Sequence, residues 1–498
     1  MSSHDEEKEV GTSQAQSNRT SIAPSTSDVL QSKSEKKVDD WDGAEDADNP
    51  QNWPRSKKIW HTAIPSIIAF ICTLGSSIIT PGRDSIMQDL GVSAEVALLP
   101  YVLYVAGLAF GPMIAAPCSE TFGRRAVYLT GMPLFAVFNL GAGFSNNIAA
   151  LTITRFFAGV FGSPGLSIGG ATLTDMWSAQ ERATPMSLFV TVPFLGPAIG
   201  PLVGGFVAEK KGWRWTIWTL LFFTVVGLTP AMFMKETYKA AILKRRAKKR
   251  GLTYPTSGRT PRQQALFFVR STLTRPVHMF CVEPVACLFA LYVGINFGML
   301  YGFFAAFPYV FQTIYGFNLG QIGLTFIGLA VGTLVACGLI IIFARLVYRP
   351  KAAARKKAGQ GPPPPESRLH IGMVGSTLLP VSLFWFGWSA QDGVHWMCPI
   401  VAEAFFACGN VMVFMAALSY VMDFYGPSVG ASAMGANTLL RYGLGCVFPL
   451  FIVQMYSGLG IGWASSLFGF VSLALTPIPW VFYLYGPRLR ARSKYVKS

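Results

Sequence analysis

Only 13% of this 498-residue chain is charged, so the charges placed inside apolar runs are the first residues to weigh for chemistry. Arg155 and Glu403 both lie well inside such runs. A charge at the centre of a bilayer is unfavourable by about 2.5–3.5 kcal/mol unless it is paired or hydrated, which makes each a functional candidate. Arg155 precedes Asp175 by 20 residues and Glu403 precedes Asp423 by 20, and an apolar and an aromatic residue follow each acid. Glu403 therefore holds in the second half of the chain the place of Arg155 in the first, with the sign reversed. A buried acid of this kind can take up and release a proton, its affinity set by burial and by the approach of Arg155 or water. The proton then biases one conformation over another. Two plainer readings stand beside this one: a static Arg155–Glu403 pair, and a glutamate that snorkels to the surface.

Two further charges fall in apolar runs, Arg441 well inside one and Glu283 nearer an end. Glu283-Pro284 fits the first turn of a helix, with the proline at a position that needs no N–H and the acid near the positive end of the dipole, so a capping role is expected. Arg441 is expected to pack against backbone carbonyls or Asp423 rather than to bind a ligand. Pro117-Cys118-Ser119-Glu120-Thr121-Phe122-Gly123-Arg124-Arg125 sets an acid, a turn glycine and two arginines at one helix junction. Glu120, Gly123, Arg124 and Arg125 can form a charge latch that holds two helices in one state and releases them in another. Loop topology and a tight turn explain the same residues equally well.

The run Gly196-Pro197-Ala198-Ile199-Gly200-Pro201-Leu202-Val203-Gly204-Gly205 lies inside an apolar segment of spanning length. Its prolines remove helix hydrogen bonds, and its glycines let a neighbouring backbone approach closely. A helix that accepts both is expected to bend or slide against a partner. Near 297–307 the aromatic residues Phe297, Tyr301, Phe303, Phe304 and Phe307 crowd one segment, with Asn296 as a polar insert. Asn296, Tyr301 and Phe304 are candidate cavity residues, because pockets are mainly apolar with a few polar anchors. Packing against lipid is the equal alternative for any one ring.

Other chemistry is absent from the pattern. The five histidines (4, 61, 278, 370, 395) are scattered and form no metal-binding cluster. No G-x-x-x-x-G-K-[ST] loop is present to hold a nucleotide. The eight cysteines lie almost all in apolar segments, so no disulfide framework is expected. Neither a catalytic residue, a metal nor a cofactor is expected.

The elements that must position these residues are membrane spans. Mean hydropathy is +0.41, and about twelve apolar stretches of spanning length can be marked, near 58–80, 94–115, 127–145, 149–173, 184–207, 215–234, 281–306, 322–346, 370–389, 396–423, 430–453 and 464–486. No cleavable signal peptide is expected, since the first residues are polar and acidic. Residues 1–55 are expected to be a disordered tail, 56–235 a first six-helix bundle, 236–276 a basic linker, 277–487 a second bundle and 488–498 a basic tail. Net charge is +16, but it gathers in alternate loops: Arg124 and Arg125, 244–250, 355–357 and 488–494. That asymmetry places both termini in the cytosol and excludes nucleic acid as the reason for the charge. The Gly-Pro-rich loop 359–365 is a stiff spacer. Asn18-Arg19-Thr20 matches a glycosylation acceptor, but a cytosolic tail makes the match idle.

Together these residues resemble the major facilitator superfamily. The 117–125 loop is similar to its motif after the second span, departing at Ala116 and Thr121; Arg155-Phe156-Phe157-Ala158-Gly159 resembles the fourth-helix motif. The 196–205 run resembles the fifth-helix motif of drug:proton antiporters. From about Asp48 to the end the chain is similar to the fungal twelve-span members, through Gly212-Trp213-Arg214-Trp215, Glu236-Thr237-Tyr238, Tyr315-Gly316-Phe317-Asn318-Leu319-Gly320, Pro365-Glu366-Ser367-Arg368-Leu369 and Ala436-Asn437-Thr438-Leu439-Leu440-Arg441. The resemblance implies an all-α polytopic membrane protein with twelve helices in two pseudo-symmetric bundles, not an enzyme. It implies a monomer in the lipid bilayer of the plasma membrane, with the vacuolar membrane as alternative. It would export a largely apolar small molecule, such as a fungal secondary metabolite, toxin or drug, in exchange for protons. The proton gradient is the driving force. Polyamine or organic-cation antiport is the alternative, weakened because Ala305 stands where polyamine-type members usually carry a glutamate. Nutrient uptake, a membrane-embedded enzyme or a transport-dead sensor fit less well.

Overall fold

The computed structural model describes residues 40–178, 181–254, 263, 274–361 and 363–495. Most of the expected 1–55 tail, the middle of the 236–276 linker and the Asn18 acceptor lie outside the described residues. Twelve helices long and apolar enough to cross a membrane organise the rest: spans 1–6 are Arg55–Leu90, Val96–Phe122, Arg124–Gly143, Ile148–Met176, Thr184–Lys211 and Trp213–Met232. Spans 7–12 are Pro284–Tyr315, Leu319–Lys357, Pro365–Ser389, Met397–Gly426, Ser432–Leu459 and Ile461–Arg492. Helices are the natural solution, because a lipid-facing chain must satisfy every backbone N–H and C=O internally. With twelve spans both termini emerge at one end of the bundle, here called the termini end; the opposite end is the far end.

The internal repeat suggested by Asp175 and Asp423 reappears in the packing. Span 1 packs on span 5, span 2 on span 4, and span 3 on spans 4 and 6. Six spans later the same pairs recur: 8 on 10, 9 on 10 and 12, and 7 on 11 through Gly294, Gly298 and Gly302. The halves meet symmetrically as well, span 5 against span 8 and span 2 against span 11. Between spans 10 and 11 the chain turns at Gly426, whose φ of 73° is a left-handed conformation that other residues adopt only with strain.

The structure differs from the sequence reading in two polar stretches. Residues 40–54, expected to be disordered, pack instead against a helix Lys239–Arg250 in the expected linker. Arg246 lies between Asp42, Asp46 and Asp48, and Arg250 bonds to Asp42. Trp53 is buried and the Lys57 ammonium sits 3.6 Å over its ring. Opposite charges far apart in sequence supply the contacts that composition alone does not reveal. Glu283 is the second difference. It stands at the N-cap of span 7 but makes no capping bond. Its carboxylate instead accepts hydrogen bonds from Tyr425 Oη, Ser493 Oγ and the Lys494 N–H, tying span 10 and the C-terminal segment to span 7.

Candidate functional site

Arg155 is fully buried in span 4 and its guanidinium is used within its own half. Nη1 donates to Asn139 Oδ1 of span 3 at 3.2 Å and Nη2 to the Gly75 carbonyl of span 1. The Tyr104 ring of span 2 lies 4.1 Å away, and its hydroxyl donates to the Cys72 carbonyl. An aromatic face and two acceptors replace the missing counter-ion. Arg155 thus knits four spans of the first half together, and no ion pair joins it to Glu403.

Glu403 sits about 9 Å into span 10 from the far end, six residues at 1.5 Å each. It is 2% exposed and neither carboxylate oxygen has a hydrogen-bond partner. Gly328 of span 8 faces it; a β-carbon there would stand 3.3 Å from Oε2. Burial removes the snorkelling reading, and the absence of a partner removes the static pair. What remains is an acid enclosed by apolar helices with both oxygens free to accept a donor.

At the termini end the 117–125 junction is built around two acids. Gly123 turns at φ 95°, and a side chain there would strike the Glu236 carboxylate. Glu236 accepts from the Arg124 N–H at 2.8 Å and the Arg125 N–H at 3.3 Å, satisfying two donors left open at the start of span 3. Arg124 Nε donates to Asp175 Oδ2 of span 4 at 3.1 Å and Nη1 to Ser119 Oγ of span 2, with the Tyr238 ring 4.7 Å away. Arg125 reaches the Met232 carbonyl of span 6. Glu120 is exposed and lies outside this network. The acids that do the pairing are Asp175 and Glu236, one legible as a repeat marker and the other as part of the Glu236-Thr237-Tyr238 match. The second half repeats the device: Arg368 Nε donates to Asp423 Oδ2 at 2.9 Å, and Arg490 to Glu366 Oε1 at 2.6 Å.

The 196–205 run lies against span 1 and, at Gly205, against span 8. Gly196, Gly200 and Gly204 leave no room for a side chain beside Thr73, Ser77 and Ile78. Pro201 has no N–H to offer the carbonyl of residue 197, and the Ser77 hydroxyl donates to that oxygen at 3.1 Å instead. The hydroxyl satisfies the helix at its weakest bond. Gly205 meets the Leu319 carbonyl, and Gly323 meets Pro201 and Leu202, so the far-end seam between the halves is backbone on backbone. Glu209 Oε2 closes it by accepting the Gly320 N–H at 2.7 Å. The Tyr101 hydroxyl adds a bond to the Tyr301 carbonyl, and Tyr301 Oη lies 3.3 Å from Ser76 Oγ.

Two spaces lie along the interface. One, about 10 Å³ and so with room for about one water, is lined by Phe194, Pro197 and Ala198 of the first half and Leu300, Asn410 and Val411 of the second. It is too small for a drug-sized ligand, which needs about 300–1,000 Å³. The other, about 120 Å³ toward the far end, is lined by Arg83, Asp84, Tyr101, Phe304, Ala305 and Gln312, among others. Of the candidate cavity residues, Phe304 lines this second space and Tyr301 joins the halves. Asn296 is buried with Oδ1 unpartnered, while its carbonyl accepts from Asn410 Nδ2. Toward the termini end Phe194 meets Phe414, ring centroids 5.2 Å apart, and Arg349 bonds to Thr184.

Arg441 corrects an expectation. Asp423 is taken by Arg368, and Arg441 makes no hydrogen bond or ion pair among the described residues. Its guanidinium stands instead among Phe297, Phe414 and Tyr442. The crowded aromatics of span 7 were the one sequence signal for this arrangement.

Residues 66–450 match the model of the Major Facilitator Superfamily. The chain is 38% identical to Polyamine transporter 4 of Saccharomyces cerevisiae, over 92% of this chain and 73% of that one. It is 37% identical to the MFS-type transporter traF of Penicillium crustosum, covering 92% and 93%, and 37% identical to the citrinin biosynthesis cluster MFS transporter mrr1 of Monascus ruber, covering 92% of each. Among solved structures the fold is similar to the proton:xylose symporter XylE, with a TM-score of 0.61, 14% identity and coverage of 86% and 97%.

Proposed function

The chain belongs to the major facilitator superfamily, and from that premise we propose that it exports largely apolar organic compounds from the cytosol in exchange for protons. Relatives named for fungal biosynthesis clusters support a secondary-metabolite cargo. The basic loops support a cytosolic termini end, and the plasma membrane is the proposed location. The backbone-packed far-end seam and the small void beside it in the interface are consistent with alternating access, in which the halves part to admit cargo.

One observation carries the proton coupling: Glu403 is buried among apolar helices with neither oxygen partnered. Reversible protonation switches that charge off and on where it matters energetically, so the packing of span 10 on span 8 responds to it. The experiment is transport by reconstituted protein under an imposed pH gradient. Wild type accumulates cargo against its gradient; Glu403→Gln binds it but no longer responds to the pH difference. Unchanged gradient-driven transport in Glu403→Gln removes Glu403 from the mechanism. A wild type that ignores the gradient removes antiport altogether.

The 38% likeness to a protein named as a polyamine transporter favours a second reading, organic-cation export. Ala305 places a methyl group, not a carboxylate, in the far-end space, and Arg441 adds a cation within the interface. Both features work against a polycation.

A further inference from the structure

Two arginines lie deep in the spans, and the structure treats them differently. Arg155 donates two hydrogen bonds inside its own half. Arg441, about a third of the way along span 11, donates none among the described residues, and its Nε is buried without a partner. Three rings surround it: Phe297 and Phe414 at 4.8 Å and Tyr442 at 4.7 Å from the guanidinium carbon. Rings attract a cation through their faces but take up none of its N–H donors, and arginine has five in a planar fork. One turn before it, on the same helix face, Asn437 Oδ1 is also buried and unpartnered.

This box opens toward the interface. Phe414 packs on Phe194 of the first half, which lines the small interface void, and Asn410 one turn from Phe414 lines it too. One turn beyond Arg441, Gly445 lies against Val105 of the first half. An unpaired guanidinium, flanked by flat apolar faces and set at the seam where the halves part, has the chemistry of a receptor for an aromatic anion. A carboxylate fits the fork bidentately, whereas an ammonium would meet like charge.

We propose that Arg441 recognises the acidic group of the cargo, so that the protein takes aryl carboxylates in preference to neutral or cationic analogues. The proposal rests on the export reading above and names its substrate class. Phe297, Phe414 and Tyr442 hold the ring system, Arg441 receives the carboxylate, and Asn437 accepts a hydroxyl or amide N–H beside it.

The test is calorimetric binding of 2-naphthoate and 2-naphthamide to the full-length protein in lipid nanodiscs. The acid is expected to bind at least ~10-fold tighter than the amide. In Arg441→Gln the acid-to-amide ratio falls to about unity, and Arg441→Lys, a point charge without the fork, restores part of it. Size-exclusion profiles of the variants confirm that both are folded. Equal affinity for the two compounds, no binding of naphthoate by wild type, or a ratio that survives Arg441→Gln overturns the proposal. Failure of the export reading looks different: naphthoate binds with the expected preference, but reconstituted wild type moves neither compound under a pH gradient.

Discussion

Gly323→Ala is the sharpest perturbation of the far-end seam. A β-carbon at Gly323 would lie 2.7 Å from the Pro201 carbonyl oxygen, 3.1 Å from the Leu202 oxygen and 3.2 Å from Leu202 Cα. All three obstacles belong to the backbone of span 5, so no side chain can swing aside. Overpacking of this kind destabilises by about 1–3 kcal/mol. Alanine is also a better helix former than glycine by about 1 kcal/mol, but that gain applies whether the seam is open or shut and cancels from the equilibrium between them. The clash exists only in the closed seam. The open-seam population should therefore rise by about 5- to 150-fold, at 1.4 kcal/mol per factor of ten. Hydrogen exchange in nanodiscs reads this at the Gly320 amide, whose N–H is held by Glu209 in the closed form. Gly338→Ala, farther along the same span and with nothing within 4 Å of its added carbon, is the control. Equal exchange at 319–325 in Gly323→Ala, Gly338→Ala and wild type would refute the reasoning.

Other perturbations follow from the ion pairs. Arg124→Leu leaves Asp175 without its partner in a largely buried site, while Glu236 keeps its backbone donors, and should cost about 3–5 kcal/mol in thermal unfolding, most of it recovered when Asp175→Asn is added. The equivalent cycle on Arg368 and Asp423, whose side chains are 30% and 39% exposed, should couple by only about 0.2–1 kcal/mol. The Arg246 guanidinium bonded to Asp46 holds that carboxyl well below its ordinary value of 3.8. Because the folded value is the lower one, the contact contributes fully above about pH 4 and is lost as the pH falls below it. Asp46→Asn should therefore speed pepsin cleavage of 40–54 near pH 5, and the difference from wild type should shrink as the pH falls from 4 toward 2.

The spans were legible because hydropathy is a local property: a run of about twenty apolar residues declares itself without reference to any other part of the chain. Trp60, Pro133 or Leu220 reads as membrane-embedded from its neighbours alone. The Gly-Pro run declared close packing for the same reason, since glycine spacing states that a backbone will approach but not which one. Arg124 could be picked out by its junction. Its acids could not be assigned, because Asp175 comes to it from span 4 and Glu236 from the segment after span 6.

The deep charges show most clearly where sequence stops. By itself the sequence determined that Arg155, Glu403 and Arg441 are immersed in apolar helices, and that Arg155 and Glu403 are repeat equivalents. Only the tertiary structure decided their partners. Asn139, Gly75 and Tyr104 occupy Arg155; Arg368 removes Asp423 from Arg441; Glu403 is left with none. The reason is physical: immersion depends on the few residues either side of a charge, whereas pairing depends on which helix faces meet, and that is set by side-chain packing across the whole bundle.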